Sequence, residues 1–172
     1  MSPERPVLHF IAGKVASGKT TLARRLAREL PAVHLCEDQW IALLGGEVRT
    51  LRDYVRQSYR CRKLMGPHAR EILRVGTSLV LDFAGNTPHD RAWVRGLFAP
   101  LGAAHVLHVI DAPEALCLER LRQRNAERPE GRFWFEVDEA VLFEAARYYV
   151  PPTEAEGFRV VHHDAETLRG ER

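Results

Sequence analysis

Two glycines, a lysine and a hydroxyl stand at fixed intervals in Gly13-Lys14-Val15-Ala16-Ser17-Gly18-Lys19-Thr20, which fits the spacing G-x-x-x-x-G-K-[ST]. That combination suits one kind of chemistry, the grip of a polyphosphate. The backbone N–H groups of such a loop turn inward and make a concave anion site. A helix that follows adds its positive end. Gly13 and Gly18 allow backbone angles and close approaches that a Cβ would hinder. Lys19 is placed to reach the β- and γ-phosphates and the Thr20 hydroxyl to ligate Mg²⁺. The expected nucleotide-binding set is therefore Gly13, Lys14, Val15, Ala16, Ser17, Gly18, Lys19, Thr20 and Thr21, with ATP and Mg²⁺ as ligands. The motif is silent on what receives the phosphate.

Several charged residues could complete the chemistry. Asp38 follows the apolar run 33–36, at the carboxyl end of a sheet where open α/β folds place their ligands. It could accept a proton from a substrate hydroxyl, or cap a helix; Glu37 beside it is the second candidate base. Asp82 ends Leu79-Val80-Leu81 and suits Mg²⁺ held through water, as well as contact with the acceptor. Asp111 after Val109-Ile110 reads equally as a plain turn residue. Arg120, Arg124 and Arg128 recur every four residues, with Arg122 and Arg132 close by. They read as a phosphate-closing lid over residues 120–135 that neutralises the transferring phosphoryl group, or as a solvated basic face. Arg49, Arg52, Arg56, Arg60 and Lys63 recur at three or four and form one basic stripe if the segment is helical. Arg56 and Arg60 are the members taken as acceptor-binding, and a nucleic-acid backbone is an alternative partner. The histidines are scattered and read as structural or surface residues, with His68 and His89 candidates for the acceptor pocket. Trp134, between Phe133 and Phe135, reads as packing at the lid base.

These residues need elements to position them. Apolar runs at 7–12, 33–36, 78–83, 104–110 and 158–161 read as short buried strands. Helical spacing marks 19–30, 88–98, 113–126 and 137–149, and also 50–75 with a break expected at Gly66-Pro67. Strands that alternate with helices imply parallel βαβ units with right-handed crossovers. The tail after His163 reads as charged and frayed.

Length and composition set the bounds. A chain of 172 residues suits one domain, residues 1–172, with an acceptor-binding helical region at about 45–75. The net charge of +2 is too small to argue by itself for nucleic acid or a membrane surface. Of the 25 basic residues only Lys14, Lys19 and Lys63 are lysine, so two of three lysines sit in one loop. The three cysteines, Cys36, Cys61 and Cys117, form no CxxC pair and suggest neither zinc nor a disulfide framework. A reducing, cytoplasmic setting is expected. No apolar run approaches the length of a membrane span.

Taken together, the chain resembles the P-loop kinase superfamily, and more narrowly the small kinases around polynucleotide kinase, zeta toxin, gluconate kinase and chloramphenicol phosphotransferase. The start Gly-Lys-Val-Ala-Ser-Gly-Lys-Thr carries the resemblance. His34-Leu35-Cys36-Glu37-Asp38, the stretch from Ala69 to Asp82, Arg91, and Leu118-Glu119-Arg120-Leu121-Arg122-Gln123-Arg124-Asn125 support it. It implies a three-layer fold with a five-stranded parallel sheet in order 2-3-1-4-5, flanked by helices and closed by a helical lid. It further implies ATP with Mg²⁺, transfer to the hydroxyl of a small molecule or nucleoside-like acceptor, Asp38 as general base, Arg91 near the acceptor, and a monomer or homodimer. Two departures stand out. Ala16 occupies a place where many members have glycine, and residues 45–75 match no particular subfamily. A polynucleotide 5′-hydroxyl kinase and a nucleotide-dependent ATPase switch remain the alternatives.

Overall fold

In the computed structural model, which describes residues 5–130 and 133–168, five strands carry the fold: β1 Val7–Ala12, β2 Ala32–Cys36, β3 Ser78–Ala84, β4 Ala104–Asp111 and β5 Val160–Asp164. All neighbouring pairs are parallel and the order is β2-β3-β1-β4-β5. Parallel neighbours need crossovers. They are supplied by α1 Lys19–Glu29, α2 Glu37–Leu43, α3 Leu51–Arg74, α4 Pro88–Phe98, α5 Glu114–Glu127 and α6 Glu139–Ala146.

Alternate residues of each strand face opposite layers. Leu8, Phe10, Leu79, Leu81 and Leu107 pack with Cys61, Met65, Ala69 and Leu73 of α3 and Val94 and Leu97 of α4. Ile11, Val80 and Ile110 pack on the other side with Leu22 and Ala23 of α1, Cys117 and Leu121 of α5, and Leu142 of α6. Both faces are covered, which is why the strands read as apolar runs without alternation. Among the described residues no helix is long and apolar enough to cross a membrane.

Three expectations are corrected. The break at Gly66-Pro67 does not occur, since α3 runs unbroken through Pro67. The residue loses one N–H donor, yet Met65, Ala69 and Leu73 on either side are buried in the core and hold the helix together. Asp38 is not a helix N-cap, since α2 already begins at Glu37 behind Cys36 and carries both Glu37 and Asp38 in its first turn. The tail is not frayed through 168, because Ala165 and Leu168 are buried against the α1 and α5 side.

The histidines are less scattered than their spacing suggests. His9 Nδ1 lies 3.1 Å from His108 Nε2, and His108 Nδ1 lies 2.8 Å from His163 Nε2, a row across β1, β4 and β5. Burial holds the central His108 imidazole down to about 3, with His9, His163 and Arg25 adding to the effect. Burial also lowers His9, with Arg159 adding, and His163, with Arg25 and His162 adding. Between the ordinary histidine value of 6.5 and these lowered values, the unfolded chain binds protons that the folded chain refuses. Folding stability should therefore hold above pH 6.5 and fall as pH drops below it, by about 1.4 kcal/mol per pH unit for each proton taken up. Urea denaturation between pH 7.5 and 5 measures this; His108→Gln should flatten the slope by one proton, and a wild-type curve flat over that range is the contrary result.

Candidate active site

The site forms where β1, β2 and β3 end, because parallel strands deliver their following loops to one edge. The loop after β1 closes tightly. A Cβ on Gly13 would come 2.6 Å from Ser17 Oγ and 3.3 Å from the Ile110 carbonyl, so a side chain there would force Ser17 and the loop to shift. Gly18 has φ 110° and Ala16 has φ 59°, the left-handed conformations that turn consecutive amides to one side. Glycine takes such angles freely and alanine at a cost of about 1–2 kcal/mol, so the departure at Ala16 is strain placed in the loop. Helix α1 starts at Lys19 with no side-chain cap, which leaves its first N–H groups for a ligand. The Lys19 ammonium donates to the Gly13 and Lys14 carbonyls at 2.7 Å each. Burial lowers its pKa, against the pull of Asp82 and Asp38.

Beside the loop stand two groups from the end of β3. Asn86 Oδ1 accepts from the Gly13 N–H at 2.9 Å and ties the turn after β3 to the loop. Asp82 is buried, and its Oδ2 has no hydrogen-bond donor among the described residues, with His34 Nε2 standing 3.7 Å away. No cluster of three His, Cys, Asp or Glu able to hold a metal exists among the described residues. Thr20 and the orphaned Asp82 oxygen both line the cavity, and fit a Mg²⁺ that takes its remaining ligands from phosphate and water.

The adjacent carboxylates of α2 receive opposite environments. Glu37 is buried and fully engaged: it accepts from Tyr54 Oη at 3.0 Å, Ser58 Oγ at 2.5 Å and Arg62 Nε at 3.3 Å, all from α3. Arg62 in turn donates to Asp90 of α4 at 2.6 Å. Asp38, one residue on, lines the cavity. Burial and then the charges of Asp82 and Glu37 push its carboxyl up to about 7, against Lys19 and Arg124. Glu37 thus fixes α3 to α2, and the titratable group turned to the cavity is Asp38. The network partners Tyr54, Ser58, Arg62 and Asp90 escaped the sequence reading, because polar residues three and four apart on a long helix look like any solvated face.

The three lid arginines part company. Arg120 is held by two backbone carbonyls, Ser17 at 2.8 Å and Ala165 at 2.7 Å, so it braces the loop against the segment after β5. Arg124 lines the cavity with Nε and Nη2 buried and without a hydrogen-bond partner among the described residues. Burial lowers its pKa while Asp38 raises it. Arg128 ends α5 in a left-handed conformation, pairs with Glu136 at 3.1 Å and stands over the Phe133 ring, outside the cavity lining. Arg122 pairs with Glu139 on the surface, and Arg132 lies outside the described residues. Trp134 is half-buried at the lid base, its Nε1 without a hydrogen-bond partner among the described residues.

Other expected acceptor residues point elsewhere. Arg91 is fully buried, gripping Glu156 with two hydrogen bonds of 2.7 and 2.8 Å and the Gly85 and Val150 carbonyls with Nη1. It fastens the 150–156 segment to α4 and does not reach the cavity. Arg56 pairs with Asp53 at 3.0 Å, and Arg60 borders a separate small hollow beside Gly45 and Gly46. The helical phase explains this: Arg52 and Lys63 of the expected stripe do line the cavity, with Val55 and Tyr59 between them. Asp111 pairs with His162 at 2.8 Å on the surface. His89 lines the cavity and His68 does not.

One cavity of about 1750 Å³ joins the loop, Asp38, Asp82 and Arg124 to the α3 and α4 surfaces. Its nucleotide end is bounded by α1 and α5, its other end by α3 and α4.

A family model described as an AAA domain matches residues 8–152. No curated protein sequence matches significantly. Among solved structures the chain is similar to a candidate kinase from Chloroflexus aurantiacus, at 22% identity over 94% of this chain and 89% of that one with a TM-score of 0.75. It is also similar to a gluconokinase from Sinorhizobium meliloti, at 17% identity over 94% and 83%, TM-score 0.62. A third is the APS kinase CysC from Mycobacterium tuberculosis, in complex with AMPPNP and APS, at 18% identity over 97% and 95%, TM-score 0.60. At these identities the likeness concerns the fold, which is that of the P-loop kinase-like superfamily.

An unpartnered buried cation destabilises the empty protein. Arg124→Leu should raise thermal stability without ligand by ~1 kcal/mol, or about 2–4 °C for a chain of this size, while weakening retention of a magnesium–nucleotide. Calorimetric melting with and without nucleotide measures both; a lower melting temperature for the empty variant counts against the geometry.

Proposed function

The chain belongs to the AAA-domain family within the P-loop kinase-like superfamily, and from that premise we propose that it is a phosphotransferase that moves the γ-phosphate of ATP to a hydroxyl of a small molecule. The observation that carries the reading is the shared cavity: a polyphosphate loop, a raised carboxyl and an unpartnered guanidinium open onto one space.

The loop amides and the α1 N-terminus hold the phosphates, and Lys19 leaves its two carbonyls for the β- and γ-oxygens. Mg²⁺, when bound, neutralises phosphate charge; Thr20 and Asp82 are the residues that would hold it. Asp38 accepts the acceptor's hydroxyl proton as that oxygen forms its bond to the γ-phosphorus and the bond to ADP breaks. Arg124 balances the charge that spreads over the transferring group. Arg120 acts through the loop, and Glu37 through the placement of α2. A small acceptor accords with the turning of Arg56 and Arg60 away from the cavity.

A screen of hydroxyl compounds and oligonucleotides for transfer from labelled ATP tests the reading. Lys19→Ala should abolish nucleotide turnover. Asp38→Ala should retain ATP yet lose transfer by roughly two orders of magnitude or more; normal transfer by that variant would remove the base assignment.

The pH dependence carries a sign. A general base must be ionised, so kcat/KM should rise with pH and level off above about 7, the value to which Asp38 is pushed. A profile already flat down to pH 5 contradicts Asp38 as base.

A further inference from the structure

The acceptor end of the cavity carries positive charge that phosphoryl transfer leaves unused. On α3, Lys63 and Arg70 are seven residues apart, two turns and about 10 Å along one face. Both are exposed, both line the cavity, and neither makes an ion pair among the described residues. Lys63 Nζ stands 4.5 Å over the Tyr59 ring. Between the two cations Gly66 is buried; a Cβ there would lie 3.7 Å from Trp93, 3.8 Å from Leu97 and 4.0 Å from Arg70 Nη2, so the Arg70 guanidinium lies close to that turn of α3. Two of the carboxylates around α3 are already taken. Asp90 accepts from Arg62 and caps α4 through Thr87, and Glu37 is consumed by α3. Arg52, on the same face farther along α3, extends the positive field toward the mouth.

We propose that Lys63 and Arg70 form an anion subsite, so that the acceptor is a small hydroxy compound bearing a phosphate or carboxylate group held there while its hydroxyl lies at Asp38. This rests on the phosphotransferase reading and names its substrate class. Both side chains are long and exposed, so both can reach one anion beside the Gly66 turn of α3. The arginine fork gives direction to the grip and the lysine a point charge. A neutral polyol would leave both cations without a partner and gain nothing from them.

The test separates this subsite from the loop. Protein saturated with Mg²⁺ and AMP-PNP, whose γ-position is filled, is titrated calorimetrically with inorganic phosphate in one arm and malonate in the other. Wild type should bind at least one of them, and the stronger arm tells a phosphorylated acceptor from a carboxylic one. Lys63→Ala with Arg70→Ala should weaken that binding about ten-fold or more, whereas Lys63→Arg with Arg70→Lys should keep it. Both positions are exposed, so the fold is not at stake, and AMP-PNP affinity should be the same in all three proteins. Absence of binding by wild type in both arms, or equal binding by the double alanine variant, overturns the subsite and leaves the kinase reading standing. Failure of wild type to retain Mg–AMP-PNP removes that reading, and this one with it.

Discussion

Burying Lys19 and Arg124 in one cavity with Asp38 and Asp82 costs desolvation that protein contacts recover only in part. Lys19 recovers some of it from two carbonyls at 2.7 Å; Arg124 has buried nitrogens with no hydrogen-bond partner, and Asp82 a buried oxygen with none. A core of similar volume filled with apolar side chains would be more stable. The arrangement makes sense for a site that is completed by a polyanion and a cation, each of which supplies what the protein withholds. The remaining architecture serves to hold those groups apart from one another and open to the cavity. Gly13 lets the loop close against Ser17, Arg120 braces the loop from α5, and Asn86 ties it to β3.

The same economy separates Glu37 from Asp38. Two carboxylates in consecutive helical positions point about 100° apart, so one faces α3 and the other the cavity. Glu37 receives two hydroxyls and a guanidinium, which hold it in place. Its fixed negative charge then raises Asp38, along with burial and Asp82. A carboxyl lifted to about 7 is a better proton acceptor for an alcohol than one at its ordinary value. The structural carboxylate thus tunes the reactive one through space, while it also determines where α3 lies and hence where the acceptor end begins.

What could be read from the sequence follows the range of the physics involved. The strands and the loop were legible, because each is written in a short stretch of chain, whereas the order 2-3-1-4-5 followed only from the family resemblance. Val15, Ala16, Gly18 to Thr21, Asp38 and Asp82, all singled out from local context, line one cavity. Arginine roles were not legible. Arg120, Arg124 and Arg128 share a spacing, yet one meets backbone, one faces the cavity with two nitrogens lacking a hydrogen bond among the described residues, and one meets Glu136. Spacing places residues on a helix face, but what lies opposite that face is set by distant segments such as Ala165, 45 residues on. Arg91 fails for the same reason, since its partner Glu156 lies 65 residues away. The cavity face of α3 was missed by a shift of phase: the periodic arginines drew the eye to 56 and 60, while the cavity sees 52, 55, 59, 63, 66 and 70.

The lid and the acceptor wall are joined by one aromatic contact. Phe135 packs against both hydrophobic clusters, so it bridges the two faces of the sheet near the mouth. Its ring lies 6.2 Å from that of Tyr54, whose hydroxyl donates to Glu37. Asn125 of the lid helix donates to the Val137 carbonyl two residues beyond Phe135, which keeps that segment against α5. A continuous set of contacts therefore runs from the helix that carries Arg124, through Phe135 and Tyr54, to the turn that carries Asp38. Arg124 and Asp38, the proposed phosphate-facing cation and the proposed base, are positioned by one framework, although they stand 86 positions apart in sequence. A change in how the lid segment packs cannot reach the phosphate without also reaching the base. In a phosphotransferase this links the closing of the nucleotide end to the readiness of the acceptor end, and it keeps water from replacing the alcohol while the site is only half assembled.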